Sequence, residues 1–159
     1  MALDKVKEYF KQFNLDDKIL VFNESTATIS EASKTVGVSE KRIAKTLSFL
    51  VNDEPILIVV AGDARIENNT YKHYFHKKAK MIPLDKVEEY IGHDIGGVCS
   101  FAINDNVKTY LDVSLKRFET VFPACGSSNS AIELTPLELE KYSQNFVCWV
   151  DVCKDWRDE

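Results

Sequence analysis

Residues 56–61 form an unbroken apolar run, Ile-Leu-Ile-Val-Val-Ala, in which β-branched side chains predominate. A strand with one face in water alternates apolar and polar residues, whereas a strand covered on both faces reads as a continuous apolar run. Gly62 and Asp63 follow directly and mark the end of the run. The sequence therefore predicts a central strand that other parts of the chain cover on both faces.

Residues 45–51 follow a different pattern, because apolar side chains recur at every second position. Lys45 has the same parity as Leu47 and Phe49, while Thr46 belongs to the opposite face of the predicted strand. A lysine at the margin of an apolar face either extends its amine to water or lines a cleft. Lys45 is therefore the first candidate for a functional side chain.

Periodicity and capping residues predict the remaining elements. Helices have apolar residues at a spacing of three or four, and strands are short apolar runs between polar or glycine-rich turns. Ser30 and Gly37 mark the start and end of one helix, and Pro136 suits the first turn of another. The predicted helices cover residues 3–13, 30–37, 66–78 and 84–91, and one more helix follows residue 136. The further predicted strands cover residues 19–22, 80–82, 98–103, 107–111, 120–125, 131–134 and 146–152.

These elements predict an α+β fold, in which helices surround a mixed but mostly antiparallel sheet. The chain has 159 residues, which is about the size of one domain. We expect residues 1–153 to form that single domain and residues 154–159 to be a charged, frayed tail.

The composition excludes several functional classes. No stretch approaches the roughly 20 consecutive apolar residues of a membrane span, and the first residues lack the apolar run of a secretory signal. The cytoplasm is therefore the expected location, with no membrane partner. The formal net charge of −5 does not fit a protein that coats nucleic acid indiscriminately, and no DNA partner is expected.

Four cysteines stand at positions 99, 125, 148 and 153, at irregular spacing. A zinc site would require close pairs such as Cys-x2-Cys, and the sequence has none. In a reducing compartment we expect these cysteines to be small buried hydrophobic residues and not disulfides. No metal and no cofactor is expected.

Basic residues are densest between residues 71 and 80, Tyr-Lys-His-Tyr-Phe-His-Lys-Lys-Ala-Lys. Basic side chains interleaved with aromatic ones are typical of a local contact with nucleic acid. The simpler interpretation is a solvated helix face that covers aromatic core residues. The pattern alone favours the simpler interpretation and leaves the other open.

Two turns are rich in small residues, and each precedes a predicted strand. The first contains Gly96 and Gly97, and the second contains Cys125 and Gly126. Paired glycines let a backbone approach a ligand closely, and unpaired N–H groups at such a turn can bind an oxyanion. Hairpins also need glycine, so each turn by itself has a structural explanation.

Taken together and in order, these features resemble the YbaK-type aminoacyl-tRNA deacylases, a family that also includes the editing insertion of bacterial prolyl-tRNA synthetases. The combination of the Lys-Thr-Leu element with the double glycine is the more specific part of the resemblance, which extends from about residue 20 to residue 142. The matching stretches are Ala44-Lys45-Thr46-Leu47, Val59-Val60-Ala61-Gly62-Asp63-x-Arg65, Gly92-x-x-Ile95-Gly96-Gly97-Val98, Tyr110-Leu111-Asp112 and Ile132-Glu133-Leu134-Thr135-Pro136.

The resemblance implies a barrel-like mixed sheet of six or seven strands, and metal-independent hydrolysis of the ester in a mischarged tRNA. The implied substrate is tRNA for proline that carries a small amino acid such as Ala, Cys or Ser, with prolyl-tRNA synthetase as a candidate partner. The catalytic residues it implies are Lys45, Gly96 and Gly97. The residues expected to shape the amino-acid pocket are Phe22, Thr46, Val98, Cys99, Ser100, Ala124 and Gly126, and those expected to contact the acceptor end of the tRNA are Lys41, Arg42, Lys72, Lys77, Lys78 and Lys80.

Three positions depart from the family pattern. Many members have proline where Ser100 stands, and some have Ser and Asp at the positions of Ala124 and Ala131. These positions shape or border the amino-acid pocket in relatives. The departures therefore bear on the choice of substrate more than on the scaffold.

Two other functions fit parts of the sequence. One is a catalytically silent module of the same fold that binds tRNA or a synthetase, which the missing loop proline favours. The other is a thiol enzyme that uses Cys99 or Cys125, and it would need a cation or a helix start to lower the pKa of the thiol. His93 is near the double glycine in sequence, but we expect it to take no part in the hydrolysis.

Overall fold

The computed structural model of the chain describes residues 2–157, and none of the helices in that range is long and apolar enough to cross a membrane. Its α-helices are α1 (Ala2–Lys11), α2 (Ile29–Val36), α3 (Asn68–Phe75), α4 (Val87–Ile91) and α5 (Pro136–Tyr142). Its strands are β1 (Leu20–Val21), β2 (Ile43–Val51), β3 (Glu54–Ala61), β4 (Arg65–Ile66), β5 (Lys108–Asp112), β6 (Phe122–Pro123), β7 (Ser130–Ala131), β8 (Phe146–Val150) and β9 (Cys153–Lys154). Short 3-10 helices cover Asp16–Lys18, Glu40–Arg42, Leu84–Lys86 and Val113–Arg117.

Strand β3 lies in the middle of a five-stranded sheet with the order β6-β2-β3-β5-β8. Its residues from Pro55 to Ala61 are all buried. Ile58 and Val60 belong to the main hydrophobic core, whereas Leu57 points to the opposite face and packs into a second, smaller cluster. The prediction of a central strand covered on both faces is confirmed.

The strand directions differ in part from the prediction. β2 and β3 form an antiparallel hairpin, in which Asn52 and Asp53 take the positive φ angles of a tight turn. The pairs β2–β6, β3–β5 and β5–β8 are parallel, and parallel neighbours need a crossover connection, which α3 and α4 provide between β3 and β5. The α+β class with a mixed sheet surrounded by helices is confirmed. The main sheet has five strands, and it has more parallel pairs than expected.

Residues 98–103 form an irregular loop and not the strand that their pattern predicted. Hydrogen bonds that a neighbouring strand would supply come from Gln144, whose side chain accepts from the N–H of Ile103 at 3.0 Å and donates to its carbonyl at 2.9 Å. The backbone N–H of Gln144 donates to the carbonyl of Ser100 at 2.8 Å. Ala102 has a φ of 54°, which interrupts an extended backbone. One distant residue therefore takes the place of a paired strand.

Several predicted boundaries shift by a few residues. Helix α2 is capped by Thr28, whose hydroxyl accepts a backbone hydrogen bond, and Ser30 lies inside the helix. Helix α3 ends before His76, which takes a left-handed conformation. Residues 80–82 form an isolated bridge through Met81 to β2 in place of the predicted strand. Helix ends and strand ends depend on tertiary contacts, which local patterns do not carry.

The last described residues pack against the body of the protein. β9 pairs with β4, and the indole N–H of Trp156 donates to the carbonyl of Cys153 at 3.3 Å. The guanidinium group of Arg117 lies over the Trp156 ring. Up to residue 157 the prediction of a frayed tail is therefore wrong, while residues 158 and 159 lie outside the described residues. The division of the chain into one domain and a charged tail stays a prediction.

Candidate functional site

A small cavity of about 110 Å³ opens beside the start of strand β2. Lys45 and Thr46 line it from β2, and Gly96 and Val98 line it from the loop that follows α4. Ala124 and strand β7 contribute another part of the wall, and the segment that leads into α2 contributes the rest. The cavity therefore collects residues that are far apart in the sequence.

Strand pairing explains why Lys45 and Thr46 border this space. β2 pairs with β3 along its whole length, with Lys45 opposite Val60. On its other edge, in the described sheet, β2 pairs with β6 through Ile43 and Ala44 alone. Lys45 and Thr46 are the next residues beyond that pairing, where the edge of β2 is open to the cavity.

The Lys45 side chain is half-buried, and it has no hydrogen bond or ion pair within residues 2–157. Burial lowers the pKa of its ammonium group below the ordinary value. Cys153 and the Asp63 carboxylate oppose that shift, and the guanidinium of Arg65 adds to it. An unpaired amine in such a place can bind a carbonyl or anionic oxygen with less competition from water than an exposed lysine can.

The double glycine provides one wall residue and one packing residue. Gly96 lines the cavity, whereas Gly97 lies outside the lining. A Cβ atom on Gly97 would lie 2.4 Å from backbone atoms of both Gly126 and Ser127, so no side chain fits there. The N–H of Gly97 donates to the carbonyl of Asp94 at 3.0 Å and closes a turn. The N–H of Gly96, in the middle of this turn, is therefore the better candidate for an oxyanion donor.

The seven residues predicted to shape the amino-acid pocket separate into two groups. Thr46, Val98 and Ala124 line the cavity, whereas Phe22, Cys99, Ser100 and Gly126 do not. The Ser100 hydroxyl lies 2.8 Å from a serine hydroxyl at the end of α5, and the N–H of Phe22 donates to the carbonyl of Asn129 at 2.8 Å. A Cβ atom on Gly126 would lie 2.7 Å from the carbonyl oxygen of Ala2. These residues hold the turns around the cavity in place.

Sequence reasoning missed the polar part of the wall. The hydroxyl-bearing residues Thr26, Thr28 and Ser130 all line the cavity. The Thr46 hydroxyl is buried and has no hydrogen-bond partner among the described residues. Thr28 could have been found, because threonine is a common helix N-cap, and it caps α2. Thr26 and Ser130 carry no local signal, since only the fold brings them to the cavity.

The cysteines do not form a reactive or metal-binding centre in the described part of the chain. Burial raises the pKa of Cys99 to about 12 and raises that of Cys125 well above its ordinary value. A reactive cysteine needs the opposite shift, so the thiol-enzyme alternative loses its chemical basis. Within residues 2–157 no three His, Cys, Asp or Glu side chains are grouped so that they could hold a metal ion.

His93 connects the two ends of the glycine loop. It is fully buried, and its Nε2 lies 2.7 Å from the carbonyl oxygen of Phe101. Burial lowers the pKa of the imidazole, so the ring is neutral near pH 7 and its Nε2–H is the donor. The Nδ1 atom has no partner among the described residues. His93 lies outside the cavity lining, and its contact with Phe101 joins the two ends of the loop.

Arg42 is bound within the protein, although the sequence predicted a contact with tRNA. Its guanidinium donates to the carbonyl of Thr120 at 3.2 Å and to the hydroxyl of that residue at 2.5 Å. It also lies over the Phe122 ring and 3.5 Å from the carboxylate of Glu133. Lys41 beside it is exposed. Lys41 is therefore the more available of the two cations.

The other predicted tRNA contacts are exposed and lie towards the far end of β2. Lys72 is on α3, and Lys77, Lys78 and Lys80 border an open depression beside Leu50. The N–H of Leu50 donates to the carbonyl of Lys80 at 2.9 Å, which anchors this segment to β2. The stretch of β2 between Leu50 and the cavity corresponds to roughly 16 Å at 3.3 Å per residue.

Comparison with known proteins identifies the family. Residues 23–142, which are most of the chain, match the model of the aminoacyl-tRNA editing domain. The chain belongs to this family. Every residue that lines the cavity falls within the matched range.

The relatives of this editing-domain protein are of two kinds. The uncharacterized protein YwhH of Bacillus subtilis is 53% identical over 157 residues, which are 98% of this chain and 99% of the relative. The proline–tRNA ligase of Aquifex aeolicus is 31% identical over 90 residues, which are 55% of this chain but 16% of the ligase. The similarity to the ligase therefore concerns one part of a much larger protein.

Two crystal structures have the same fold. A hypothetical protein with 31% identity has a TM-score of 0.83, and the match covers 94% of this chain and 99% of the other. A candidate trans-editing enzyme for prolyl-tRNA synthetase is 24% identical and also has a TM-score of 0.83, over 96% of this chain and 97% of the other. The second likeness shows that the whole fold is shared.

Proposed function

We propose that this editing-domain protein is an aminoacyl-tRNA deacylase that acts in trans on the ester of a mischarged tRNA. The observation that carries the proposal is that an unpaired, half-buried Lys45 and the turn at Gly96 line one small cavity. The similarity to proline–tRNA ligases supports tRNA for proline as the substrate.

The mechanism needs positioning and charge stabilisation, because an aminoacyl ester is already activated. Water attacks the carbonyl carbon, the ester C–O bond breaks, and the leaving ribose oxygen takes up a proton. The N–H of Gly96 donates to the oxyanion of the tetrahedral intermediate, and the ammonium of Lys45 adds positive charge beside it. The loss of one such donor typically costs about 3–4 kcal/mol. Neighbouring hydroxyls of the ribose and the bound water supply the proton transfers, and no metal takes part.

Cavity size supports a small acyl group. A cavity of about 110 Å³ with Val98 and Ala124 in its wall leaves little room beyond the reacting ester. One methylene changes binding by roughly 1–3 kcal/mol in such a pocket, so discrimination among amino acids is graded and not absolute. Ala, Ser and Cys are the amino acids that fit this proposal.

The acceptor end of the tRNA approaches from the surface that carries Lys41 and the basic depression of Lys77, Lys78 and Lys80. These amines are exposed and can contact phosphates while the 3′ end enters the cavity. The protein works in the cytoplasm, where prolyl-tRNA synthetase supplies the mischarged substrate, and it has no DNA target.

The test is a deacylation assay on a panel of tRNAs charged with Ala, Ser, Cys and Pro. We expect release of a small amino acid from tRNA for proline, and no release by the Lys45→Ala variant. The matched control is Lys11→Ala, which removes an exposed lysine of α1, and it should keep full activity. Circular dichroism spectra of both variants should equal that of the wild type.

The alternative function is a silent module of the same fold that binds charged tRNA. The serine at position 100, where many relatives have proline, is the observation that favours it. Such a module retards tRNA in a gel but releases no amino acid. If the protein retards the charged tRNAs but releases no amino acid from any of them, the result supports the binding module and contradicts the deacylase.

A further inference from the structure

The loop between α4 and β5 carries part of the cavity wall but belongs to no strand. Ile95, Gly96 and Val98 line the cavity from its first half. Its second half, residues 99–103, is buried except for Ala102, which is partly exposed. Buried backbone N–H and C=O groups need hydrogen-bond partners, and this segment has no neighbouring strand to supply them. The position of the cavity wall therefore depends on how the second half of the loop is held.

The base of the loop is closed by contacts to α4. The N–H of Asn104 donates to the carbonyl of Ile91 at 2.9 Å, and its side-chain amide donates to two further carbonyls of α4, both at 3.0 Å. Inside this closed base, Nε2 of His93 lies 2.7 Å from the carbonyl oxygen of Phe101 and joins the two halves. A change of backbone direction next to Phe101 is therefore passed to the turn that lines the cavity, since the ends of the loop are fixed.

Ala102, directly after Phe101, has a φ of 54°. For a residue with a Cβ atom this left-handed conformation is less favourable than an extended or right-handed one. It persists only where the surrounding structure enforces it, and such residues are frequent beside functional sites. Some contact of the fold must therefore hold Ala102 in this conformation.

Gln144 holds the chain on both sides of Ala102. Its side-chain oxygen accepts from the N–H of Ile103 at 3.0 Å, and its side-chain nitrogen donates to the carbonyl of the same residue at 2.9 Å. Its backbone N–H donates to the carbonyl of Ser100 at 2.8 Å. The hydroxyl of Ser143 lies 2.8 Å from that of Ser100, and both of these serines are buried. Two consecutive residues after α5 therefore fix the backbone before and after Ala102.

We propose that Gln144 is a positioning residue of the deacylase site, which holds Ala102 in the left-handed conformation and thereby fixes the turn that presents the N–H of Gly96. The proposal rests on the deacylase function for its effect on the reaction. The conformation of Ala102 is a property of the free protein and can be measured without tRNA. Gln144 lies beyond residues 23–142, which match the family model, so the proposal depends on the contacts of this chain.

Two substitutions separate positioning from simple support of the fold. Gln144→Met keeps most of the side-chain length and removes both hydrogen bonds to Ile103. Ala102 should then leave the left-handed conformation, and the cavity turn should shift. Ala102→Gly in the same chain removes the Cβ atom that makes this conformation unfavourable, because glycine adopts positive φ angles readily. Positioning predicts that Gln144→Met/Ala102→Gly recovers activity, whereas a loss of packing alone would not be repaired by a smaller residue.

The closing experiment records the carbon chemical shifts of alanine-labelled protein by NMR, which report backbone conformation, with Ala102→Gly for assignment. In Gln144→Met we expect the Ala102 shifts to move to those of an extended residue. In the deacylation assay kcat should fall about tenfold, because the competent loop becomes the minor conformer, while KM changes by less than about twofold. Gln144→Met/Ala102→Gly should recover kcat to within about threefold of the wild type. Gln12→Met, at an exposed glutamine after α1, is the matched control and should change neither the shifts nor kcat.

Unchanged Ala102 shifts in Gln144→Met would overturn the proposal, and so would a loss of kcat that Ala102→Gly fails to restore. If Gln144→Met does not fold, Gln144→Glu replaces it, because a carboxylate still accepts from the N–H of Ile103 but cannot donate to its carbonyl. That variant should give the same changes at a smaller size, and the absence of any change would again contradict the proposal. A wild type that releases no amino acid refutes the deacylase function, while the Ala102 shifts still decide whether Gln144 sets the conformation of the loop.

Discussion

The two ends of strand β2 hold lysines in opposite environments. At its start, Lys45 is half-buried, unpaired and part of the cavity wall. Beside its end, Lys77, Lys78 and Lys80 are exposed around an open depression. In water an ammonium attracts phosphate weakly and from a distance, whereas a shielded ammonium acts strongly on one neighbouring atom. We therefore propose that burial, and not residue type, separates a catalytic role for Lys45 from a phosphate-binding role for the exposed lysines.

The largest expected effect separates these two roles directly. Lys45→Met should lower kcat about 1,000-fold, because it removes the charge beside the oxyanion. Lys80→Met should leave kcat unchanged and raise KM about twofold. Steady-state kinetics on one mischarged tRNA measures both constants. If the two variants behave alike, the contrast between the ends of β2 has no functional meaning.

The rigidity of the cavity wall is tested by the two adjacent glycines. Gly97→Ala should destabilise the protein by about 2–3 kcal/mol, because its Cβ would overlap the backbone of Gly126. Gly96→Ala should lower the free energy of unfolding by a smaller amount, since the nearest atom to its Cβ is the Cβ of Ser128 at 3.1 Å. Urea unfolding of both variants gives the two free energies. Equal losses would show that the glycine turns do not pack as described.

Histidines provide a second contrast between the two ends. His93 is buried in the glycine loop, whereas His73 and His76 are exposed near the basic depression. Burial lowers the pKa of His93, so the unfolded chain binds more protons than the folded one at acidic pH. The free energy of unfolding should therefore fall as the pH drops from about 7.5 to 5.5, through the unfolded-state pKa near 6.5.

Matched histidine variants identify the source of this pH dependence. His93→Gln keeps a donor for the Phe101 carbonyl but does not titrate, so most of the pH dependence should disappear. His73→Gln should leave the pH dependence intact. Urea unfolding at the two pH values provides the comparison, and a persistent slope in His93→Gln would point to other groups.

The smallest expected effect concerns salt. If the exposed lysines contact phosphates, KM should rise with salt concentration, because phosphate contacts release counterions. Replacement of Lys77, Lys78 and Lys80 by Gln should raise KM about threefold at low salt and flatten its salt dependence. A wild-type KM that does not respond to salt would remove this surface from the tRNA contact.

The sequence by itself determined the features that depend on local pattern. The apolar run of β3 predicts a strand buried on both faces, since a stretch with no polar residue has no face to offer to water. The alternation in β2 distinguishes Lys45 from its neighbours, and the ordered motifs indicate the family. Turn and cap residues approximate the ends of most helices.

Tertiary structure decided the features that depend on pairs of residues far apart in the chain. Gln144 supplies the hydrogen bonds that make residues 98–103 a loop, and Asp63 meets Arg117 across 54 positions. Arg42 is bound to Thr120 and is therefore less available to tRNA. A local pattern reports how often a residue type prefers burial or a turn, but a hydrogen bond has a specific partner. That partner is chosen by the folded chain, so the site could be outlined from sequence while its electrostatics could not.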